Sequence, residues 1–319
     1  MTIRYTPIAS ESIGVRSLSL FVETSDLRIL IDAGVSLGPR FGLLPHPLEY
    51  RALRRARELL RSYAERADVI TISHYHFDHY TAAWPNVEVK WSWSSLDEAK
   101  MIYKDKIVLA KDYRSSINPS QRKRGYIFHR LIRDFVKDVK FVDSTSITLG
   151  ETIIDFSQPF PHGEEGTSLG YVLLLTIRHG EDHLLYCSDV QGPISESALK
   201  YILKVRPKVL VISGPPLYLE DYKVDSEAIK VGLKNLSIIA KRIPYTLVDH
   251  HILRSEEGLK EIAKLDRNRV KTFAEHLGLK NNLLEANRAK LYEENPPDRE
   301  FQRWLRLPPS QQKVQLPPI

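Results

Sequence analysis

The feature that most constrains this chain is the six-residue run His74-Tyr75-His76-Phe77-Asp78-His79, set directly behind the short apolar run Val69-Ile70-Thr71-Ile72. A β-branched apolar run of that length reads as a buried strand. His74 and His76 stand two apart in extended chain, so both imidazoles point to the same side. Asp78 and His79 follow where the chain turns, and approach from another direction. Three of the eleven histidines fall in this window. A lone histidine is more often a satisfied core or surface group. Four nitrogen and oxygen donors packed at one strand end match the ligand chemistry of divalent metal sites instead.

A metal site needs further donors, and the chain supplies them at other strand ends. Asp32 closes the apolar run 28–31, and His162 stands in Pro161-His162-Gly163 behind 152–157. Asp189 follows 183–187, and His250 and His251 follow 245–249. Loop residues carried by rigid strands are where catalytic groups usually lie. Three imidazoles on one ion leave an open position for water, the arrangement of catalytic zinc. A second ion roughly 3.5–4 Å away lowers the pKa of bound water further and gives hydroxide at neutral pH. Asp78 and Asp189 then orient that hydroxide and accept its proton. Donors without thiolate suit zinc, iron or manganese.

In this order the donors resemble the five scattered motifs of the metallo-β-lactamase superfamily: Asp32, the hexapeptide, His162, Asp189, and a histidine at 250 or 251. The resemblance implies an α/β fold, a four-layer αβ/βα sandwich with a helical insertion and a dinuclear site where the two sheets meet. It implies two divalent ions, with zinc first and iron or manganese as alternatives. His74, His76 and His162 would hold one ion. Asp78, His79 and either His250 or His251 would hold the other, with His250 preferred and Asp189 bridging. Asp32 would support the ligand loop by hydrogen bonds. Residues 10–17, 118–124 and 212–218 resemble more narrowly an archaeal branch of that superfamily, described as metal-dependent hydrolases, which brings no substrate with it.

The chain of 319 residues suffices for one large domain. Strands are expected at 3–9, 17–23 and 28–31, before an Arg-rich helix at 48–66. Leu48, Ala52, Ala56, Leu59 and Tyr63 form its apolar stripe, leaving Arg51, Arg54, Arg55 and Arg61 as a solvated face. Residues 95–138 read as the helical insertion, overhanging the metal site. A hairpin turns at 178–182, and helices at 195–204 and 225–241 alternate with strands at 208–213 and 245–249. Residues 1–280 are expected to form the sandwich. Residues 281–319 add helices, packed through Leu291, Phe301, Trp304 and Leu305, and a Pro-rich tail after 307.

Lysine and arginine number 46 against 40 acidic residues, a net charge of +6 that permits an anionic substrate. Arg122, Arg130 and Arg133 share a helix face and form a candidate anion clamp, a solvated face being the plainer reading. The single cysteine, Cys187, excludes internal disulfides, fits a reducing cytoplasmic setting and reads as a core thiol. No apolar run approaches membrane-spanning length, and the start lacks a signal-peptide pattern. The expected function is a metal-dependent hydrolase acting on an ester, thioester, lactone or phosphodiester. A nuclease processing RNA or DNA is one alternative. An iron-dependent oxidoreductase on the same scaffold is another, weakened by the lack of a flavin domain.

Overall fold

Runs such as Leu18–Glu23 and Val209–Ser213 are buried along almost their whole length, the pattern of strands covered on both faces. In the computed structural model, which describes residues 2–84, 91–308, 311–312 and 317–319, they form two large sheets. The first runs in chain order: β1 (Arg4–Ser10), β2 (Leu18–Glu23), β3 (Arg28–Ile31), β4 (Val69–Ile72), β5 (Ile107–Ala110) and β6 (Asp138–Phe141). Its first three strands pair antiparallel, and β3 to β6 pair parallel.

The second half holds β7 (Ser146–Leu149), β8 (Thr152–Phe156), β9 (Phe160–Pro161), β10 (Tyr171–Val172), β11 (Leu175–His179), β12 (Asp182–Tyr186), β13 (Val209–Ser213), β14 (Tyr245–Asp249) and β15 (Val270–Lys271). Seven of these make a sheet ordered β15-β14-β13-β12-β11-β8-β7, while β9 and β10 pair separately. The expected hairpin is present, with Arg178 opposite His183 across β11 and β12.

Strand alternation sorts side chains between layers. Leu20, Val22, Ile29 and Ile31 pack with Ile177, Leu184, Val209 and Val211 between the sheets. On the outer face of the first sheet, Phe21, Leu30, Ile70 and Val108 meet α1 (Pro47–Arg66), α2 (Leu96–Tyr103) and α3 (Pro119–Ile132). Leu185, Leu210, Ile212 and Val248 meet α4 (Glu196–Val205), α5 (Ser226–Arg242) and α6 (Glu256–Ala263) beyond the second. The order helix, sheet, sheet, helix is the αβ/βα sandwich. Three short helices close the chain: α7 (Phe273–His276), α8 (Arg288–Glu294) and α9 (Arg299–Leu305). Among the described residues no helix is long and apolar enough to cross a membrane.

Helix α1 begins where its sequence directs. The His46 side chain caps it, Pro47 takes the first turn, and the Glu49 carboxylate accepts from the His46 amide at 2.8 Å. Its buried stripe is Tyr50, Leu53, Ala56, Arg57, Leu60 and Ala64, so the expected stripe is displaced by a fraction of a turn and Leu59 stays 43% exposed. Pairing explains the shift. Arg57 donates to Ser92 O and Thr81, and Glu49 accepts two bonds from Arg288.

Residues 95–138, expected as a helical insertion, contain α2 and α3 and also β5, which enters the first sheet between β4 and β6. Helix α3 borders the metal-donor loop along its length: Gln121 reaches Tyr75 and His76, Arg124 donates to Tyr75 O, and His129 meets the Tyr75 hydroxyl. Phe301 and Trp304 of α9 are buried against Tyr50, with ring centroids 5.8 and 5.4 Å away. The expected Pro-rich tail lies in part outside the described residues.

Candidate metal centre

The C-terminal ends of β3, β4, β12 and β14 converge on one edge of the sandwich, the side of parallel sheets where ligands usually sit. Ser73, after β4, meets Ser188, after β12, with 2.7 Å between their hydroxyl oxygens. Several of these loop residues take left-handed backbone: Asp32 at φ 50°, Ser188 at 46° and His250 at 63°. Such conformations cost energy in non-glycine residues and persist where surrounding structure enforces them. Gly34 marks the tightest approach. A Cβ there would lie 2.1 Å from the Tyr80 nitrogen and 2.5 Å from the His79 carbonyl carbon.

Two donor clusters meet at Asp189. In the first, His74 Nε2 lies 3.1 Å from His76 Nδ1, and His162 Nε2 lies 3.1 Å from Asp189 Oδ2. In the second, His79 Nε2 is 3.2 Å from His250 Nε2 and 3.2 Å from Asp189 Oδ2. His250 Nε2 is 3.0 Å from Asp189 Oδ1 and 3.8 Å from Asp78 Oδ2. Within each of the sets His74, His76, His162, Asp189 and Asp78, His79, His250, one donor atom per residue lies within 4.8 Å of the others. His251 reaches the same carboxylate, its Nε2 3.2 Å from Asp189 Oδ2. His76 and Asp78 are half-buried, and the other donors are buried, so the centre opens past the hexapeptide.

The outer partners settle which nitrogens face inward. Carboxylates only accept, so His79 Nδ1 donates to Asp32 Oδ2 at 2.8 Å and His250 Nδ1 to Glu11 Oε2 at 2.8 Å. The Ser73 hydroxyl gives its proton to Asp32 Oδ2 at 2.5 Å, leaving its oxygen to accept from His74 Nδ1 at 3.0 Å. In the neutral imidazoles Nε2 of His74, His79 and His250 therefore carries a lone pair. These inward nitrogens face one another and Asp189 at separations that repel unless protons or metal ions lie among them. Among the described residues, buried Asp189 Oδ1 accepts no hydrogen bond. This donor set fits a pair of divalent ions.

Protons compete with metal for these positions. Burial would lower His79, but Asp189 and Asp32 outweigh it and hold the imidazole well above its ordinary pKa. Asp189 and Glu11 likewise lift His250 to about 9 against burial. Burial and neighbouring imidazoles keep His74 well below the ordinary value and bring His76 to about 3. Burial would raise Asp78 and Asp189. The imidazoles of His79 and His250 overcome it and hold both carboxyls well below their usual range.

The expected anion clamp does not join these clusters. Arg122 is exposed, while Arg130 and Arg133 line a separate cavity of about 470 Å³ with Tyr113, Tyr126, His129, Val139 and Phe141. That cavity's lining includes no metal donor, although it abuts the ends of β5 and β6 through Tyr113 and Phe141. The arginines that do reach the centre are Arg254, which donates to Asp78 Oδ2 at 3.1 Å and to Glu11 Oε1 at 2.6 Å, and Arg124, which donates to Tyr75 O at 3.2 Å. Sequence reasoning missed Glu11 and Tyr218. Both lie in segments singled out above, 10–17 and 212–218, but their partners His250 and His251 are distant along the chain and meet them only on folding.

No protein-family profile matches the chain. Its fold is similar to that of CmlA, a diiron β-hydroxylase from Streptomyces venezuelae, at a TM-score of 0.50 and 15% identity over 87% of this chain and 52% of that one. The metallo-β-lactamase fold protein YhfI from Bacillus subtilis matches at a TM-score of 0.49 and 13% identity, covering 85% of this chain and 95% of that one. By sequence the chain is 40% identical over 292 residues to the UPF0282 protein MK0213 of Methanopyrus kandleri, covering 91% of this chain and 99% of that protein. The chain belongs to the UPF0282 family.

Proposed function

We propose that this protein is a metal-dependent hydrolase that carries two divalent ions and cleaves an ester, thioester, lactone or phosphodiester. One observation carries the reading: the set His74, His76, His162 and Asp189 adjoins the set Asp78, His79 and His250, whose His79 and His250 Nε2 atoms stand 3.2 and 3.0 Å from the Asp189 carboxylate. His74, His76 and His162 are assigned to one ion, and Asp78, His79 and His250 to the other, with Asp189 between them. A metal pair bound there supplies water of lowered pKa and polarises the oxygen of the scissile bond. The chain's own residues set the geometry. Asp32 aligns His79 and the Ser73 amide, Glu11 aligns His250, and Arg254 holds Asp78. Such outer partners fix ring orientation and raise ligand basicity. A phosphodiester within RNA or DNA is the narrower form of this reading, and the net positive charge permits it.

The test is hydrolysis by chelated and reloaded protein on an ester, a lactone and a phosphodiester. Activity on at least one that vanishes with chelation, returns with zinc or manganese, and is absent from the His74→Ala/His76→Ala variant is the expected result. Equal hydrolysis by metal-free protein would refute it. CmlA, similar in fold, is a diiron β-hydroxylase, and thiolate-free donors of the kind found here accept iron as well. Iron as the resident metal, with oxygen consumed in turnover, would select that second reading.

A further inference from the structure

Arg130 in the last turn of α3 and Arg133 at its C-terminal cap border the cavity of about 470 Å³ with His129, Tyr113, Tyr126 and Phe141. That volume lies in the range of roughly 300–1,000 Å³ usual for small-molecule sites. The cavity stands apart from the metal centre. None of its lining residues is a metal donor, and Tyr75, buried in full, reaches from the hexapeptide to His129.

One wall is aromatic. The Tyr113 ring centroid lies 5.9 Å from that of Tyr126 and 5.4 Å from that of Phe141, and Phe141 lies 4.5 Å from His129. The rim is cationic. Arg114, beside it, is already paired with Asp112 at 2.7 Å and lies 4.5 Å from the Phe141 ring centroid. Arg130 and Arg133 make no side-chain ion pair or hydrogen bond among the described residues. His129 adds a directed acceptor. It is 5% exposed, and its Nε2 meets the Tyr75 hydroxyl at 2.8 Å. That hydroxyl gives its proton to the Lys111 carbonyl, which can only accept, so Nε2 carries the imidazole proton and donates to the phenol oxygen. Nδ1 is then a lone pair, and it finds no donor among the described residues. Burial brings this imidazole to about 4, which keeps it neutral at pH 7.

An occupant that satisfies these groups has a planar ring for the aromatic wall, an N–H or O–H for His129 Nδ1, and an anionic group for two guanidiniums. Phosphate suits guanidinium because the planar fork of donors binds two oxygens at once. A nucleotide carries all three features. We propose that this cavity is a second ligand site, which binds a nucleotide with its base against Tyr113 and Tyr126 and its phosphate on Arg130 and Arg133. The site is independent of the chemistry at the metal centre.

The probe is adenosine monophosphate, titrated calorimetrically into zinc-loaded and into chelated protein at one salt concentration. Saturable binding of equal affinity in both forms is expected, with adenosine and inorganic phosphate each weaker. Arg130 and Arg133 are exposed, so the Arg130→Ala/Arg133→Ala variant should fold, and an unchanged melting curve checks that it does. It should weaken adenosine monophosphate on the order of 10²-fold and leave adenosine unchanged. Tyr126, 48% exposed, offers an open ring face. Tyr126→Ala should weaken adenosine and adenosine monophosphate roughly tenfold and leave phosphate unchanged, and Tyr126→Phe should restore the affinity. An end-phosphorylated oligoribonucleotide that competes for the site identifies the end of a strand as an occupant, and one that does not compete identifies free nucleotide. No saturable binding at millimolar concentration, binding lost on chelation, or one affinity in wild type and all variants would overturn the proposal.

Discussion

Asp32 accepts from the Ser73 amide at 2.8 Å, the Ser73 hydroxyl at 2.5 Å, His79 Nδ1 at 2.8 Å and the Tyr186 hydroxyl at 2.8 Å. An amide at this position turns one acceptor into a donor facing other donors. Asp32→Asn is therefore expected to weaken metal binding by roughly 10–100-fold, measured by chelator competition, and a wild-type affinity would show that Asp32 does not orient His79. The proton competition at His79 and His250 predicts a pH effect. Both imidazoles hold protons at neutral pH without metal, His250 up to about 9, so binding must expel them. Apparent affinity should rise with pH through neutrality and toward about 9, where His250 loses its proton. Calorimetry in buffers of different ionisation heat should detect proton release, and buffer-independent heats at pH 7 would contradict it. The donors themselves were legible because strand ends and histidine spacing are local. Glu11 was not, because its partner His250 lies 239 residues further along the chain.

At the scale of elements, the C-terminal segment is fastened by buried charge. Glu285 accepts from Arg16 at 2.6 and 2.7 Å, and Arg288 pairs with Glu49 of α1 at 2.7 Å. Burial would raise the Glu285 carboxyl, but Arg16 and Arg254 bring it to about 2. A depressed folded pKa stabilises above the unfolded value and loses that effect as pH falls through the folded one. Glu285→Gln should thus cost on the order of 3–5 kcal/mol near neutrality. Its gap to wild type should narrow between about pH 4.3 and 2. Parallel denaturant titrations across that range check it, and a pH-independent gap would assign the loss to packing. Helix α1 was legible in its extent. Its stripe was misplaced because pattern reading assigns Glu49 and Arg57 to solvent, whereas distant partners bury them. Strand β5 was overlooked for another reason, since four apolar residues between charged helices carry no resolvable period.

Over the whole molecule, the first sheet contributes Asp32 and the hexapeptide, while the second half contributes His162, Asp189, His250 and His251. Ions held by both halves would bind the folded chain and not the unfolded one. Chelation is accordingly expected to lower the melting temperature, by an amount set by roughly 4 kcal/mol at a thousandfold excess over Kd. An unchanged melting curve would mean that metal does not link the sheets. The layered architecture was legible because buried strands and amphipathic helices alternate, and the donor motifs resembled a known set. The separation of Arg130 and Arg133 from the centre was not, because a helix face says nothing about which cavity it borders. The central claim is two ions joined by Asp189, and metal count per chain tests it most directly. After chelation, reloading and desalting, wild type should retain two ions, and His162→Ala and His250→Ala one each. A single ion in wild type, or an undiminished count in both variants, would contradict the account.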